Sequence, residues 1–482
     1  MPQIRPQNAG TSYPVVVIGS GFGSLFFLKK YLEIKPRGQR ILMIERGGFN
    51  SHAWQIENMK NSPVDHDKTF HKKPGEKPWV YTVGLGGGMS CWEAQVPRLH
   101  PDDFRMRTIY GREVDWPITY DELEPYYTEA ERIMLVAGDD DIAAVYPRSG
   151  GFVQPPHRLS TADEIMKKAQ PDRHFAFPMA RLSRPVANRS ACCATTRCPL
   201  CPVDAKFTHE NGMQDVLGHP DLDILLNCQV TEIENGGGVA RGVRFSHEGA
   251  ERRVAADFVV LGANAIQSPY LLMRSGLNRE PVGRYLHEKM QITVDVYLDG
   301  LDHFDGGSGV TALNTSLLHG AHRKTNGGAL IRIENPWRYP LRLEYGRWRQ
   351  IMPVSMLVAT EPMYENRVQT GPDDMPSVSH SKISTYGSEG ITWAMEQLPK
   401  VLSPLPVEKI ESVGMADSAY HIQGTCRMGS DPAASVVDKD LIMHDVRNLM
   451  VVGTSLMPTC GSGNPSLTAA ALSLRAAERM MA

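Results

Sequence analysis

Val15-Val16-Val17-Ile18-Gly19-Ser20-Gly21-Phe22-Gly23-Ser24 is the stretch that decides the fold. Its first four residues are apolar and β-branched, the composition of a parallel strand buried on both faces. Glycines end the strand, and Leu25 to Ile34 reads as a helix. A second apolar run, Ile41-Leu42-Met43-Ile44, closes on Glu45-Arg46-Gly47-Gly48. Strand, glycine turn, helix, strand and acid within about 30 residues form the dinucleotide-binding βαβ unit. Gly19 permits the tight turn, and Gly21 lets the backbone approach a pyrophosphate. The N-terminus of the helix turns unpaired N–H groups and a partial positive charge toward that anion, with Phe22 and Gly23 in the turn beside it. Ser24 replaces the third glycine of the fingerprint and is small enough for close helix–strand packing. Glu45, followed by Arg46, is placed to accept hydrogen bonds from an adenosine ribose. By itself the unit does not separate NAD from FAD, since both use it.

The rest of the composition sets bounds. A chain of 482 residues holds several compact units or one large two-part enzyme. Lys plus Arg number 51 against 54 Asp plus Glu, a net charge of −3. That balance argues against nucleic-acid binding driven by phosphate neutralisation. No apolar run reaches the length of a membrane span. Met1 to Tyr13 is polar and lacks an apolar signal core, so the chain is expected in the cytoplasm, or exported and membrane-associated through a partner subunit.

A second glycine cluster follows at Val83-Gly84-Leu85-Gly86-Gly87-Gly88-Met89-Ser90-Cys91-Trp92. It is too glycine-dense for a helix or strand interior. The indole that follows at once suggests a backbone packed against a flat cofactor rather than a flexible tip. The eight cysteines are too sparse for a disulfide scaffold, yet four of them (Cys192, Cys193, Cys198 and Cys201) fall in one short segment. Such clustering points to a metal, a cluster or redox chemistry.

Together these segments resemble the glucose–methanol–choline (GMC) oxidoreductases. Gly86-Gly87-Gly88-Met89-Ser90 with Trp92, Pro97-Arg98 and Asp103-Phe104 is similar to that family's flavin-contacting loop. Tyr420-His421-Ile422-Gln423-Gly424-Thr425-Cys426-Arg427-Met428-Gly429 resembles its catalytic-histidine segment. Ser455, Met457-Pro458-Thr459 and Gly463-Asn464-Pro465-Ser466-Leu467-Thr468 resemble its closing signature. Gly262 to Pro269 resembles its second flavin-domain strand and turn. The stretch from Arg98 to Tyr127 is similar to the large subunits of bacterial sugar and gluconate dehydrogenases, to which the pyranose oxidases are related.

The resemblance implies an α/β chain. It has a Rossmann-like, p-hydroxybenzoate-hydroxylase-like FAD domain and a substrate domain whose antiparallel sheet is flanked by helices. The expected FAD domain is discontinuous, 1–110, 195–285 and 440–482, and the substrate domain is 111–194 and 286–439, with the Cys-rich segment at 192–202. Implied cofactor contacts are Gly19, Gly21, Phe22, Gly23, Ser24, Glu45, Arg46, Gly86, Gly87, Gly88, Met89, Ser90, Val230, Ala263, Ser455, Asn464, Pro465 and Ser466. His421 is implied as the base and Asn464 as its partner. The chemistry suits them, because oxidising an alcohol releases a hydride to flavin and a proton to the protein. Histidine titrates near operating pH, and an amide N–H stabilises developing charge without competing for the proton. The helix read over Ser466 to Met481 turns its N-terminus toward the flavin. Cys91 directly precedes Trp92, where the pyranose oxidases place a histidine nearby, so the FAD is expected to be noncovalent.

Three readings of Cys192, Cys193, Cys198 and Cys201 stay open: a cluster, zinc, and thiols or a disulfide. In the related dehydrogenase subunits such a segment holds iron–sulfur, and three ligands would imply a [3Fe–4S] centre. Segment Val282 to Lys289 resembles a family stretch that continues as Asp-His. Glu288 and Lys289 depart from it and take no role from it. Trp337 to Arg349 is basic and aromatic, which fits a solvated sheet face, a docking surface or a sugar-stacking site. The leading expectation is a dehydrogenase of a sugar or small alcohol. Its electrons pass to a quinone or cytochrome, with a small accessory subunit and a cytochrome subunit as partners. An O2-using oxidase and a non-catalytic flavin relay subunit are the alternatives.

Overall fold

The computed structural model describes residues 3–187, 189–336, 347–416 and 419–481. The segment Val15–Ile18 lies at the middle of a mixed sheet of eight strands, inside the strand Ser12–Ile18. On one side it pairs in parallel with Ile41–Ile44, which pairs with Leu222–Leu225. On the other it pairs in parallel with Ala250–Leu261, beyond which lie Val446–Val451 and Ile442–Met443. Val15 to Ile18 and Ile41 to Ile44 are all buried, which is why these strands read as unbroken apolar runs rather than alternating ones. Gln229–Gly236 and Val239–His247 form an antiparallel hairpin that feeds into Ala250–Leu261.

The helix Phe22–Ile34 covers this sheet and packs beside the helix Ser466–Met481. The sequence places the first of these helices from Leu25, whereas it begins at the glycine turn itself. A Cβ on Gly23 would stand 2.6 Å from the backbone nitrogen of Gly453, so helix and sheet touch backbone to backbone there. The close packing expected at Ser24 is carried by Gly23 instead. Ser24 faces Gly262, where a Cβ would meet its Oγ at 2.2 Å.

A second sheet of six strands is built from Val407–Ala416, Met290–Leu298, Ile351–Val358, Ala329–Glu334, Val310–Asn314 and His174–Ala176, in that spatial order. All its pairings are antiparallel. The helix Thr385–Val401 seals one face, with Ile391, Ala394, Leu398 and Val401 packed among Val294, Met356 and Val358. Of the basic aromatic stretch, residues 337–346 lie outside the described residues. Arg347 pairs with Glu408, and Arg349 pairs with Asp302 at 2.6 Å. Among the described residues, no helix is long and apolar enough to cross a membrane.

The helix Tyr120–Met134, grouped by sequence with the substrate part, sends its buried face into the core under the eight-stranded sheet. Tyr127 Oη lies 2.8 Å from Thr468 Oγ1 on the C-terminal helix. A buried ionic knot ties this helix to the chain at Arg98, which donates to both oxygens of Glu131 at 2.9 Å and to Glu124 at 2.9 Å. Arg148 adds a bond to Glu131 at 2.6 Å. Removing one member of such a set leaves charge buried without its partner, which is the costly event. Glu131→Ala is therefore expected to lower unfolding free energy by about 3–5 kcal/mol, read as a shifted denaturation midpoint.

Candidate active site

A single cavity of about 850 Å³ runs from the glycine turn to the C-terminal segments. At one end Gly19 turns at φ +85°, a conformation that side chains resist, and a Cβ there would lie 2.6 Å from the Gly262 carbonyl. Gly21 behaves differently. Its φ of −76° is ordinary, and a Cβ added to it meets nothing within 4 Å. The space over Gly21 is the groove itself, at the N-terminus of the helix Phe22–Ile34, where no side chain caps the first amides. A phosphate fits such a cradle.

Glu45 closes the far side of the turn. One of its oxygens accepts from Ser20 N at 3.1 Å and Ser20 Oγ at 2.7 Å, and the other from Gly47 N at 2.8 Å. Burial raises its pKa above the usual carboxylate range, and the bonds from Gly47 and Ser20 oppose that. Its first task is thus to hold the turn, a use that the ribose reading did not anticipate, and it still lines the groove.

The cavity wall collects Gly19, Gly21, Phe22, Gly23, Glu45, Arg46, Gly87, Gly88, Val230, Ala263, Asn464, Pro465 and Ser466 from the expected cofactor contacts. Ser24, Gly86, Met89, Ser90 and Ser455 stand behind that wall. Met89 is core, and Gly86 makes room for His209, whose Nδ1 a Cβ would approach to 2.2 Å. The glycine-rich loop is packed, and its end winds into one helical turn, Gly88–Cys91, which glycine content alone argued against. Trp92 meets the Phe22 ring edge-on at 4.6 Å and donates to the Phe207 carbonyl at 2.8 Å.

At the other end, Asn464 Nδ2 lies 3.2 Å from His421 Nε2. His421 Nδ1 and Asn464 Oδ1 are buried and lack a hydrogen-bond partner. Burial holds the His421 pKa well below the usual imidazole range, and the positive charges of Lys289, Arg332 and Lys77 push it the same way. The imidazole is therefore neutral.

Lining the same cavity are polar groups that the sequence did not single out: Gln291 on Met290–Leu298, and Arg332 and Glu334 on Ala329–Glu334, with the strand Ile351–Val358 between the two. Arg332 donates to Gln95 Oε1 at 2.9 Å and twice to Ser355 Oγ, at 3.1 and 2.8 Å. The signal was present, because residues 332 and 334 fall two apart on one strand and share a face. Nothing in the strand says which face meets the cavity.

The four clustered cysteines do not converge. Cys192 Sγ lies 4.0 Å from Ser308 Oγ, and Cys193 Sγ lies 3.4 Å from Thr195 Oγ1. Cys198 accepts from Arg181 at 2.5 Å, and Cys201 accepts from Ala205 N at 3.3 Å. All eight cysteines are unpaired, and among the described residues no group of three or more His, Cys, Asp or Glu side chains is arranged to hold a metal. The thiols in this arrangement do not fit an iron–sulfur or zinc site. Cys198 instead lines the cavity, its thiol pushed up to about 11 by burial.

A Rossmann-like groove that opens onto a histidine–amide pair defines a nucleotide-cofactor oxidoreductase. The comparisons give the family: GMC oxidoreductase profiles match residues 118–291 and 372–473, together more than half of the chain. The chain belongs to the GMC oxidoreductases and is an FAD-dependent enzyme of that family. It is 27% identical to the fructose dehydrogenase large subunit of Gluconobacter japonicus, over 98% of both chains. It is also 27% identical to the 6'''-hydroxyparomomycin C oxidase of Streptomyces lividus, over 98% of this chain and 92% of that one. With the 2-methyl-1,2-propanediol dehydrogenase of Mycolicibacterium austroafricanum the identity is 24%, over 96% and 94%. In fold it matches pyridoxine 4-oxidase from Mesorbium loti, with a TM-score of 0.68 at 18% identity over 97% of this chain and 99% of that one.

The open space over Gly21 gives a clean test of the groove. Gly21→Ala is expected to leave apoprotein stability within about 0.5 kcal/mol, because a Cβ there meets no protein atom within 4 Å. The same variant is expected to purify with a strongly reduced flavin-to-protein absorbance ratio.

Proposed function

We propose that this chain oxidises an alcohol carbon of a sugar or related polyol to a carbonyl. The observation that carries the reading is the approach of His421 and Asn464 to 3.2 Å at the end of the cofactor cavity. FAD bound noncovalently in the groove supplies the hydride acceptor. His421 Nε2 takes the hydroxyl proton as the carbon–hydrogen bond breaks, and the Asn464 amide orients the imidazole and hydrogen-bonds the developing oxyanion. Gln291, Arg332 and Glu334 offer donors and acceptors in the same cavity, which suits a substrate with several hydroxyl groups. The names of the relatives, fructose and propanediol dehydrogenases and an aminoglycoside oxidase, support the same substrate class.

Two acceptors follow from those relatives. In the dehydrogenase reading, electrons pass to a quinone or cytochrome, with an accessory and a cytochrome subunit as partners of a large subunit. In the oxidase reading, O2 is reduced directly. Turnover of a sugar and polyol panel in air separates the two. One equivalent of hydrogen peroxide per carbonyl marks the oxidase, and dependence on an added quinone or dye marks the dehydrogenase. No turnover on any member of the panel would defeat the substrate class.

His421→Ala is expected to lower kcat by about 10²–10⁴-fold on the best panel substrate, with flavin content unchanged. A base works only unprotonated, and this imidazole is held low by burial and by neighbouring cations. The acid limb of the kcat profile is therefore expected below the ordinary histidine range, and a limb centred near pH 6.5 or above would contradict the assignment.

A further inference from the structure

The segment that departs from the family pattern lies directly against His421. Residues 283–288 run antiparallel to 421–425. Gly283 N donates to Thr425 O at 2.8 Å, and His287 and Gln423 exchange two bonds at 3.1 Å. Carried one step further, this ladder would pair the His421 N–H with the carbonyl of residue 289. The chain instead turns away at Tyr420, whose φ is +61°. The His421 N–H is taken by the Glu288 carboxylate. The other carboxylate oxygen of Glu288 pairs with Lys77, and both side chains are only 1% exposed. Lys77 is fixed in turn over the ring of the fully buried Trp79, 4.0 Å from its centroid. Thr360 Oγ1 anchors the Glu288 carbonyl at 2.7 Å.

We propose that Glu288, held by Lys77, is a positioning residue for His421: its carboxylate fixes the backbone under the imidazole and so sets the approach of that ring to Asn464. The inference rests on the reading of His421 as the base. A buried ion pair adds little net stability compared with apolar packing, so its value here lies in geometry. A carboxylate with one oxygen on a fixed ammonium and the other on an amide N–H cannot rotate without losing both bonds. The pair also keeps the Lys77 charge compensated beside an imidazole that already faces Lys289 and Arg332. Lys289 is itself buried without a hydrogen-bond partner, so a second uncompensated amine would add to the same field.

The test uses the flavin-loaded full-length protein, the best panel substrate and amide hydrogen exchange of the peptide spanning 420–424. Glu288→Ala is expected to lower kcat about 10–100-fold with KM within about threefold, and to speed exchange in that peptide. Lys77→Met takes the ammonium away from the buried Glu288 carboxylate and is expected to lose kcat as well. The double variant Glu288→Gln/Lys77→Met keeps an acceptor for the His421 N–H without either charge. It is expected to recover kcat to within about fivefold of the parent, and it serves where Glu288→Ala does not fold. Unchanged kcat and exchange in Glu288→Ala overturn the proposal, as does a double variant no better than Lys77→Met alone. His421→Ala run alongside separates the two claims. If His421→Ala keeps full turnover while Glu288→Ala still speeds exchange, the base assignment fails and the contact stands.

Discussion

At Gly23 and Gly453 two backbones meet with no space for a side chain between them. Most of the architecture depends on that contact. It seats the first helix against the end of the strand Val446–Val451, and so brings the chain after residue 453 to the mouth of the nucleotide groove. Pro465 and Ser466 reach the cavity by this route, and the long C-terminal helix then closes over the first one. A substitution that pushed the two backbones apart would separate the cradle from the histidine–amide pair at once, because both are fastened to the same sheet.

The second constraint is ionic and lies deeper. Arg98, Glu131, Glu124 and Arg148 form one buried set, and Arg323 with Asp103 forms another, 2.9 Å apart and 1% exposed on each side. The first braces the segment 98–148 internally, across its helix Tyr120–Met134, and the second ties that segment to the 3-10 turn Ala321–Lys324 beside the six-stranded sheet. Charges at these depths are expensive to leave alone. They give the segment one seat rather than many, where apolar packing alone would tolerate small slides.

How far the sequence could be read follows from how local each signal is. The strand Ser12–Ile18, the turn at Gly19 and the helix Ser466–Met481 were legible, because two-faced burial and helix propensity are written into consecutive residues. The flavin-type groove and the positions of His421 and Asn464 came from resemblance of short motifs. The polar set of Gln291, Arg332 and Glu334 was not legible, since it exists only once antiparallel strands are in register. The packing of the helix Tyr120–Met134 was not legible either: its Leu123, Tyr127 and Ala130 look like any amphipathic face, and only the folded chain shows that they enter the core under the eight-stranded sheet. The cysteine segment is the reverse case. Close spacing in sequence suggested convergence, yet the thiols face a hydroxyl, an arginine and a backbone amide in turn.

His421 and Asn464 stand on either side of the strand Val446–Val451 in the chain, on loops fastened to the eight-stranded sheet. Arg332 and Glu334 stand on the other sheet. The histidine–amide pair is thus held from the eight-stranded side, where Gly424 N meets the Thr454 carbonyl and Thr454 Oγ1 the Ile422 carbonyl, and is braced from the other layer by Glu288 just ahead of the strand Met290–Leu298. Under the proposed function, a change at Arg332 or Glu334 inside the six-stranded layer alters the groups offered to a substrate, whereas a change at the edge of that layer beside Glu288 also reaches the reacting pair.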